Sequence, residues 1–303
     1  MVGATAGPGR DQAGRVGVRV LVTGAAGQVG LAVTGHFRAA GDEVIASDLA
    51  GLDVTDRDSV LAAMTTVRPD AVVHCAAWTA VDACESDPAR AFAANGLAVR
   101  WVAEGCRRTG AHLVHLSTDY VFSGTKPSPY HEWDPTGPLN IYGASKLAGE
   151  REAAAAGIGA TIARTSWVVS EHPPNMLMTI LGLLDQPGPL SFVDDQIGHV
   201  TFTGDLAHML RRLAVDRRPG IHHVTNQGPL TWYEFARAVA TATGHDPDRV
   251  VPIATADLVP PRPATRPANS VLDNTVLRLS GLPLLPDTLE SLPRVLKAMP
   301  EAP

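Results

Sequence analysis

A β-branched run at residues 18–22 ends in Gly24-Ala25-Ala26-Gly27-Gln28-Val29-Gly30, glycine at every third position, and a stretch with helical spacing follows at once. A strand that turns through glycines into a helix leaves the first N–H groups of that helix without intrahelical partners, at the positive end of its dipole. With no side chains in the way, a pyrophosphate can come close to those groups. The spacing is Gly-x-x-Gly-x-x-Gly rather than the commoner Gly-x-Gly-x-x-Gly. Taken alone, the loop suits an ordinary turn as well as a dinucleotide site, so its surroundings must decide.

Those surroundings alternate. Helical spacing over residues 31–40 is stopped by Gly41, and a short apolar run at 43–47 is closed by Asp48. A helix is predicted over 59–67, with Asp56 or Asp58 near its start and Pro69 beyond its end. Then come an apolar run at 71–74, a long amphipathic helix over 88–108, a run at 111–116, a helix over 140–156 ended by Gly157, and a run at 161–164. Strand and helix in alternation imply parallel strands joined by right-handed crossovers with helices on both faces. The predicted fold is therefore α/β, a Rossmann-like doubly wound parallel sheet. After about residue 165 the chain becomes irregular and proline-rich, with helices expected at 205–215 and 232–243, an apolar run at 221–224 and a proline cluster at 260–267. The expected division is a disordered tail (1–15), a dinucleotide-binding domain (16–165) and a smaller, partly interleaved C-terminal substrate lobe (166–303). Ligands of such sheets bind outside the carboxyl ends of the strands.

Composition narrows the function classes. The 303 residues are 45% hydrophobic, enough for a large core, and the net charge of −6 argues against nucleic acid as a partner. No apolar run approaches the ~20 residues that span a bilayer, and the N-terminus has no hydrophobic stretch to serve as signal or anchor. Three cysteines, Cys75, Cys84 and Cys106, cannot all pair, and no Cys-x-x-Cys is present. A reducing compartment, the cytoplasm, is expected, with no metal site. His222-His223 are adjacent and point to opposite faces of a strand, and no His-Glu-x-x-His occurs, so they read as core or surface residues. Asp194-Asp195 diverge in the same way and suit a loop or nucleotide-contacting role better than paired acid–base chemistry. Arg211-Arg212 and Arg217-Arg218 read as a solvated helix end, and Cys75 as a small apolar residue.

Three further features fall in register with the glycine loop. Asp48 closes the second strand, where a carboxylate accepts from the adenosine ribose hydroxyls of a dinucleotide. No arginine or lysine lies between Asp48 and Arg57, so the sequence favours NADH over NADPH. Tyr142 and Lys146 stand four apart near the start of a helix and share a face. A phenol is too weak an acid for neutral pH unless a cation favours its anion, and a neighbouring ammonium supplies one. The run at 111–116 opens into Ser117-Thr118-Asp119-Tyr120 at a strand's carboxyl end, where Thr118 can hydrogen-bond the oxygen that Tyr142 protonates, with Asp119 beside it.

The constellation resembles the extended short-chain dehydrogenase/reductases and, within them, the dTDP-4-dehydrorhamnose reductase family. The matching stretches are residues 24–30 (GAAGQVG), 76–82 (AAWTAVD), 114–122 (VHLSTDYVF), 138–150 (PLNIYGASKLAGE), 164–168 (RTSWV), 195–198 (DQIG) and 266–270 (RPANS), spanning nearly the whole chain. The resemblance implies reduction, by NADPH or NADH, of the C4 ketone of a nucleotide-linked 6-deoxy-4-keto-hexose. It implies Tyr142 as proton donor, Lys146 as the residue that binds the nicotinamide ribose and lowers the phenol pKa, and Thr118 as the residue tuning proton transfer. Thr118, Asp119 and Trp167 would touch the sugar. Gly24, Gly27, Gln28, Val29 and Gly30 would meet the pyrophosphate, Asp48, Asp53 and Val54 the adenosine, and Ala77, Trp78 and Thr79 the rest of the cofactor. Some family members pair through magnesium held by glutamates; the corresponding positions here are Ala32, Gln186 and Ala298, none of them an anionic ligand. The chain is accordingly expected to be a monomer or a metal-independent homodimer. Val200 replaces the family's usual proline, and Trp78 stands where tyrosine or histidine is common.

Other readings stay open: a 4-ketoreductase for another deoxysugar of secondary metabolism, or a non-catalytic nucleotide-binding regulatory subunit. A dehydratase or epimerase fits less well, because a dehydratase is expected to carry acid–base carboxylates in place of Ser117-Thr118-Asp119. Intact Tyr142 and Lys146 argue against a regulator.

Overall fold

The computed structural model describes residues 17–172 and 174–299, so the expected tail at 1–15 lies outside the described residues. The first half runs β1 (Arg19–Thr23), α1 (Gln28–Ala39), β2 (Glu43–Ser47), α2 (Arg57–Val67), β3 (Ala71–His74), α3 (Val81–Ser86), α4 (Pro88–Phe92), a π-helical turn (Ala93–Leu97), α5 (Ala98–Thr109), β4 (His112–Thr118), α6 (Ile141–Ala155) and β5 (Thr161–Thr165). It continues through β6 (Val168–Val169), α7 (Met176–Leu184), β7 (Leu190–Val193), β8 (Ile197–Gly198), β9 (Thr201–Phe202), α8 (Thr203–Val215) and β10 (Gly220–His223). The last elements are β11 (Leu230–Thr231), α9 (Trp232–Ala242), β12 (Val250–Ile253), α10 (Thr275–Leu279) and α11 (Thr288–Ala298).

Six strands form one parallel sheet in the order β10-β5-β4-β3-β1-β2. Strand order reverses at β1, which pairs with β2 on one side and β3 on the other, so the loops after β1 and β3 diverge and open a crevice. The strand from residues 220–223 completes the far edge beside β5, although it lies well inside the second half of the chain. On one face α1 and α8 pack around Val33, Phe37, Leu206 and Leu210, all fully buried. On the other face Val60, Met64, Val99 and Val102, from α2 and α5, lie on Leu21, Val72 and Leu113. Each such large side chain contributes roughly 1.5–3 kcal/mol by leaving water. A separate core joins α7, α9 and α11 to the parallel pair β7–β12.

The helix expected over 88–108 is continuous in direction but not in type. Its middle turn is π-helical, and there the buried Asn95 side chain bonds the backbone of Trp78 and the hydroxyl of Ser145. The small pair β7–β12 and the helices α7, α10 and α11 were not evident in the sequence. Arg211 departs from the solvated helix end expected for it. Its Nε donates to Asp42 at 2.6 Å, and the fully buried Asp42 carboxylate also accepts from the Val18 N–H at 3.0 Å. This pair fastens α8 to the turn before β2. Arg212 does lie on the surface, bonded to Asp216. His222 and His223 are both buried, and Asp194 and Asp195 accept from Thr231 and Thr255 as loop anchors away from the cleft described below.

Candidate functional site

A cleft of about 830 Å³ opens at the carboxyl ends of β1, β3, β4 and β5. The glycine loop forms one wall. A Cβ on Gly30 would lie 2.1 Å from the Gly24 carbonyl oxygen, so only glycine lets α1 start this close to the end of β1. Gly27 is the N-cap of α1 and offers no capping side chain, which leaves the first-turn N–H groups free for an anion. Gly24, Gly27, Gln28, Val29 and Gly30 all line the cleft. The Gln28 side chain is engaged across it, donating to the Pro174 carbonyl at 2.8 Å and accepting from Ser170 at 3.0 Å. Only its backbone is therefore free for a ligand.

The other expected cofactor residues line the same cleft: Asp48, Asp53 and Val54 from the loops after β2, and Ala77, Trp78 and Thr79 after β3. Asp48 accepts from the Ala50 N–H at 3.1 Å, and Asp53 from Thr55 at 2.9 and 2.7 Å. Both are exposed, so these loop bonds leave carboxylate capacity for a ribose. Trp78 is half-buried, its backbone pinned to Asn95 and its indole covered by the Arg90 guanidinium at 4.4 Å.

Tyr142 and Lys146 rise from the first turns of α6. Asn140 caps this helix, accepting from the Gly143 N–H at 2.8 Å. A Cβ on Gly143 would meet the Tyr120 carbonyl oxygen at 2.1 Å, so glycine is what seats the start of α6 on the turn after β4. That contact brings the Tyr120 and Tyr142 rings edge to face, 5.8 Å apart, and sets Tyr142 beside Thr118. Lys146 is buried and its Nζ donates to the Leu116 carbonyl at 2.6 Å. Burial lowers this ammonium to about 8, against the opposing pull of Glu150 and Cys75. The Tyr142 phenol stands above its ordinary value, not below it: burial raises it, the Thr118 hydroxyl draws it down, and Asp119 raises it further. Burial likewise pushes the Cys75 thiol up to about 12, in keeping with an inert apolar residue.

Asp119 is a buried carboxyl of the cleft wall. Its Oδ1 accepts from Thr118 at 2.9 Å, and Oδ2 has no hydrogen-bond partner among the described residues. Burial raises its pKa to about 7, only partly countered by the Ser270 and Thr118 hydroxyls. A carboxyl left half-satisfied at a cleft wall is suited to a ligand hydroxyl.

A model of the family described as the RmlD substrate binding domain matches residues 18–300. The chain belongs to this family. A dTDP-4-dehydrorhamnose reductase of Streptomyces griseus is 43% identical over 271 residues, covering 87% of this chain and 88% of that protein. A probable dTDP-4,6-dihydroxy-2-methyloxan-3-one 4-ketoreductase of Streptomyces antibioticus is 42% identical over 274 residues, covering 89% and 92%. Among solved structures, a dTDP-4-dehydrorhamnose reductase from Bacillus anthracis in complex with NADP superposes with a TM-score of 0.88 at 34% identity, covering 93% of this chain and 99% of that one.

Two of the motifs that carry the resemblance to the RmlD family meet in space. Asp82 of AAWTAVD and Arg266 of RPANS form an ion pair, and the Ala264 N–H donates to the same carboxylate. This ties the chain after β12 back to α3, beside the cleft. Trp167, with φ at 43°, turns its indole into the cleft and stacks on Trp232, the first residue of α9. Trp232, Tyr120 and Arg90 line the cleft and were not singled out as site residues. Tyr120 sits inside a motif quoted above, whereas nothing near Trp232 in sequence points to the site.

Proposed function

We propose that this chain is an oxidoreductase that reduces the C4 ketone of a dTDP-linked 6-deoxy-4-keto-hexose with NADPH or NADH, giving dTDP-L-rhamnose or a related deoxysugar. The observation that carries the reading is the convergence of Tyr142, Lys146 and Thr118 on the cleft whose opposite wall is the glycine loop. The residues suit a dinucleotide: a cradle that a Cβ would fill, a helix start without a side-chain cap, and carboxylates at the adenosine end. When bound, the nicotinamide supplies the hydride.

The chain's own groups supply the rest. The Tyr142 phenol, kept protonated by burial, gives its proton to the oxygen on which negative charge develops. The Thr118 hydroxyl holds that oxygen, and Lys146 binds the ribose and balances the phenolate as it forms. Asp119 and Trp167 orient the sugar. No helix among the described residues is long and apolar enough to cross a membrane, and we read the enzyme as cytoplasmic. With Ala32, Gln186 and Ala298 at the glutamate positions, it acts as a monomer or a metal-independent homodimer.

The test is direct. With dTDP-4-keto-6-deoxyglucose, a 3,5-epimerase and NADH or NADPH, the nicotinamide absorbance should fall, and NMR should show the new C4 alcohol. No oxidation by this chain, where an authentic reductase oxidises the cofactor, would sink the proposal and favour a binding role.

A further inference from the structure

Tyr142 is the second residue of α6, and helix ends open locally at little cost. A side chain placed there keeps its position only if something outside the helix holds the first turn. Here both chain neighbours of Tyr142 are held. Glu85 on α3 accepts from the Ile141 N–H through Oε1 at 2.8 Å. That N–H has no partner within its own helix, and a carboxylate suits the positive end of the helix dipole. On the other side, the Gly143 N–H donates to Asn140 Oδ1 at 2.8 Å. Asn140 in turn donates through Nδ2 to the Thr265 carbonyl, also at 2.8 Å.

These bonds close into a ring. Thr265 is followed by Arg266, whose guanidinium pairs with both carboxylate oxygens of Asp82. Asp82 stands three residues before Glu85 on α3, on the same face. The circuit therefore runs from α3 to the start of α6, on to residues 264–266 and back to α3. The Ala264 N–H adds a second bond to Asp82 at 3.1 Å, and the Arg266 side chain is largely buried. None of Asp82, Glu85, Asn140 and Arg266 lines the cleft. They act on a bound ligand only through what they hold.

We propose that these four residues form a clasp that fixes the Tyr142 hydroxyl for proton transfer, each of them a positioning residue. The inference deepens the reductase reading above and rests on it. A proton donor displaced by about 1 Å can lose about 100-fold in rate, so a turn free to fray would be costly at this position.

The test compares Glu85→Ala, which removes the acceptor, with Glu85→Gln, which keeps an oxygen for the Ile141 N–H. All rates are taken well below each variant's melting temperature, with the keto sugar and NADH. In Glu85→Ala kcat should fall about 10- to 100-fold, with NADH affinity at the wild-type value. The slowing of kcat in D2O should become larger, because a misplaced phenol makes proton transfer limiting. Deuterium exchange of residues 138–150 should also quicken. Glu85→Gln should restore all three readouts. Asp82→Ala should act like Glu85→Ala, and the double variant should fall short of the product of the two effects, since either change opens the same ring. A lower melting temperature in Glu85→Ala with kcat and the D2O effect unchanged would leave only a structural role and overturn the inference, while the proposed function stands. Effects of the two single variants that multiply in the double would overturn the ring. Wild type that turns over no keto sugar would overturn the proposed function and, with it, any part for the clasp in proton transfer.

Discussion

The indole rings of Trp167 and Trp232 lie 4.1 Å apart and 9° from parallel, so the second residue after β5 leans on the first residue of α9. Trp167 keeps its positive φ with this support, and a Cβ on Gly198 would lie 2.7 Å from its ring. The stack thus holds one wall of the cleft by contacts distant in sequence.

Removing the support should loosen that wall without touching Tyr142. Stacked aromatic pairs contribute about 0.5–1.5 kcal/mol beyond burial. Trp232→Ala should raise KM for the sugar nucleotide severalfold with kcat little changed, and should abolish the far-ultraviolet exciton couplet of the indole pair. Trp232→Phe should restore KM. An unchanged KM in Trp232→Ala would show that the stack does not position substrate.

Tyr142→Phe keeps the ring and its packing on Tyr120 but has no proton to give. Turnover should drop by about 10²–10⁴, the usual range for a positioned general acid. Fluorescence titration should give NADH affinity near that of wild type. Retained turnover would remove Tyr142 from the role of proton donor.

Asp119 gives a pH signature. Its carboxyl rises from an ordinary 3.8 to about 7 on folding, mainly through burial. The native state therefore holds this proton more tightly than the unfolded chain, and stability falls as pH rises through that window. Below the window both states are protonated and nothing is lost; above it the penalty is complete, up to about 4 kcal/mol. Asp119→Asn should melt higher than wild type at about pH 8, the gain should vanish toward about pH 4, and activity should fall. A variant no more stable at the higher pH would contradict the buried charge.

Arg164 and Glu150 form a two-bonded ion pair at 2.8 and 2.7 Å, with both side chains nearly inaccessible, and Ser117 donates to the same carboxylate. Arg164→Ala would leave Glu150 charged and buried on the face of α6 that meets β4 and β5. The expected loss is about 3–5 kcal/mol of unfolding free energy, read from urea denaturation. A loss well under 1 kcal/mol would mean that water reaches the pair.

Asp48 lines the cleft at the end of β2, where the proposed dinucleotide would lay its adenosine, and neither lining cation, Lys146 or Arg90, is free to meet a second phosphate there. NADH should bind more tightly than NADPH by about tenfold, as a charge left without a partner requires. Asp48→Ala should narrow the gap. Tighter NADPH binding in wild type would reverse the reading.

The elements that follow local rules were legible before any coordinates. Strand β3 and the glycine loop lie where apolar runs and turn residues put them, and α6 begins at its Asn140 cap. Tyr142 and Lys146 were readable as neighbours because a helix brings every fourth residue to one face. The pairing of Asp82 with Arg266 and the stacking of Trp167 on Trp232 had no local signal. Each joins residues far apart in the chain, and neither propensity nor periodicity encodes such distances.

The amino-acid sequence by itself determined the alternation of strands and helices, the glycine loop between β1 and α1 and the chemical types lining the cleft, since all three depend on backbone geometry and side-chain chemistry within a few residues. The tertiary structure alone decided the electrostatic state of those groups. Burial, a property of the whole packed chain, lifts Asp119 to about 7, lowers Lys146 to about 8 and keeps Tyr142 protonated. Transfer of a charge out of water depends on everything that surrounds it, and only the folded chain fixes those surroundings.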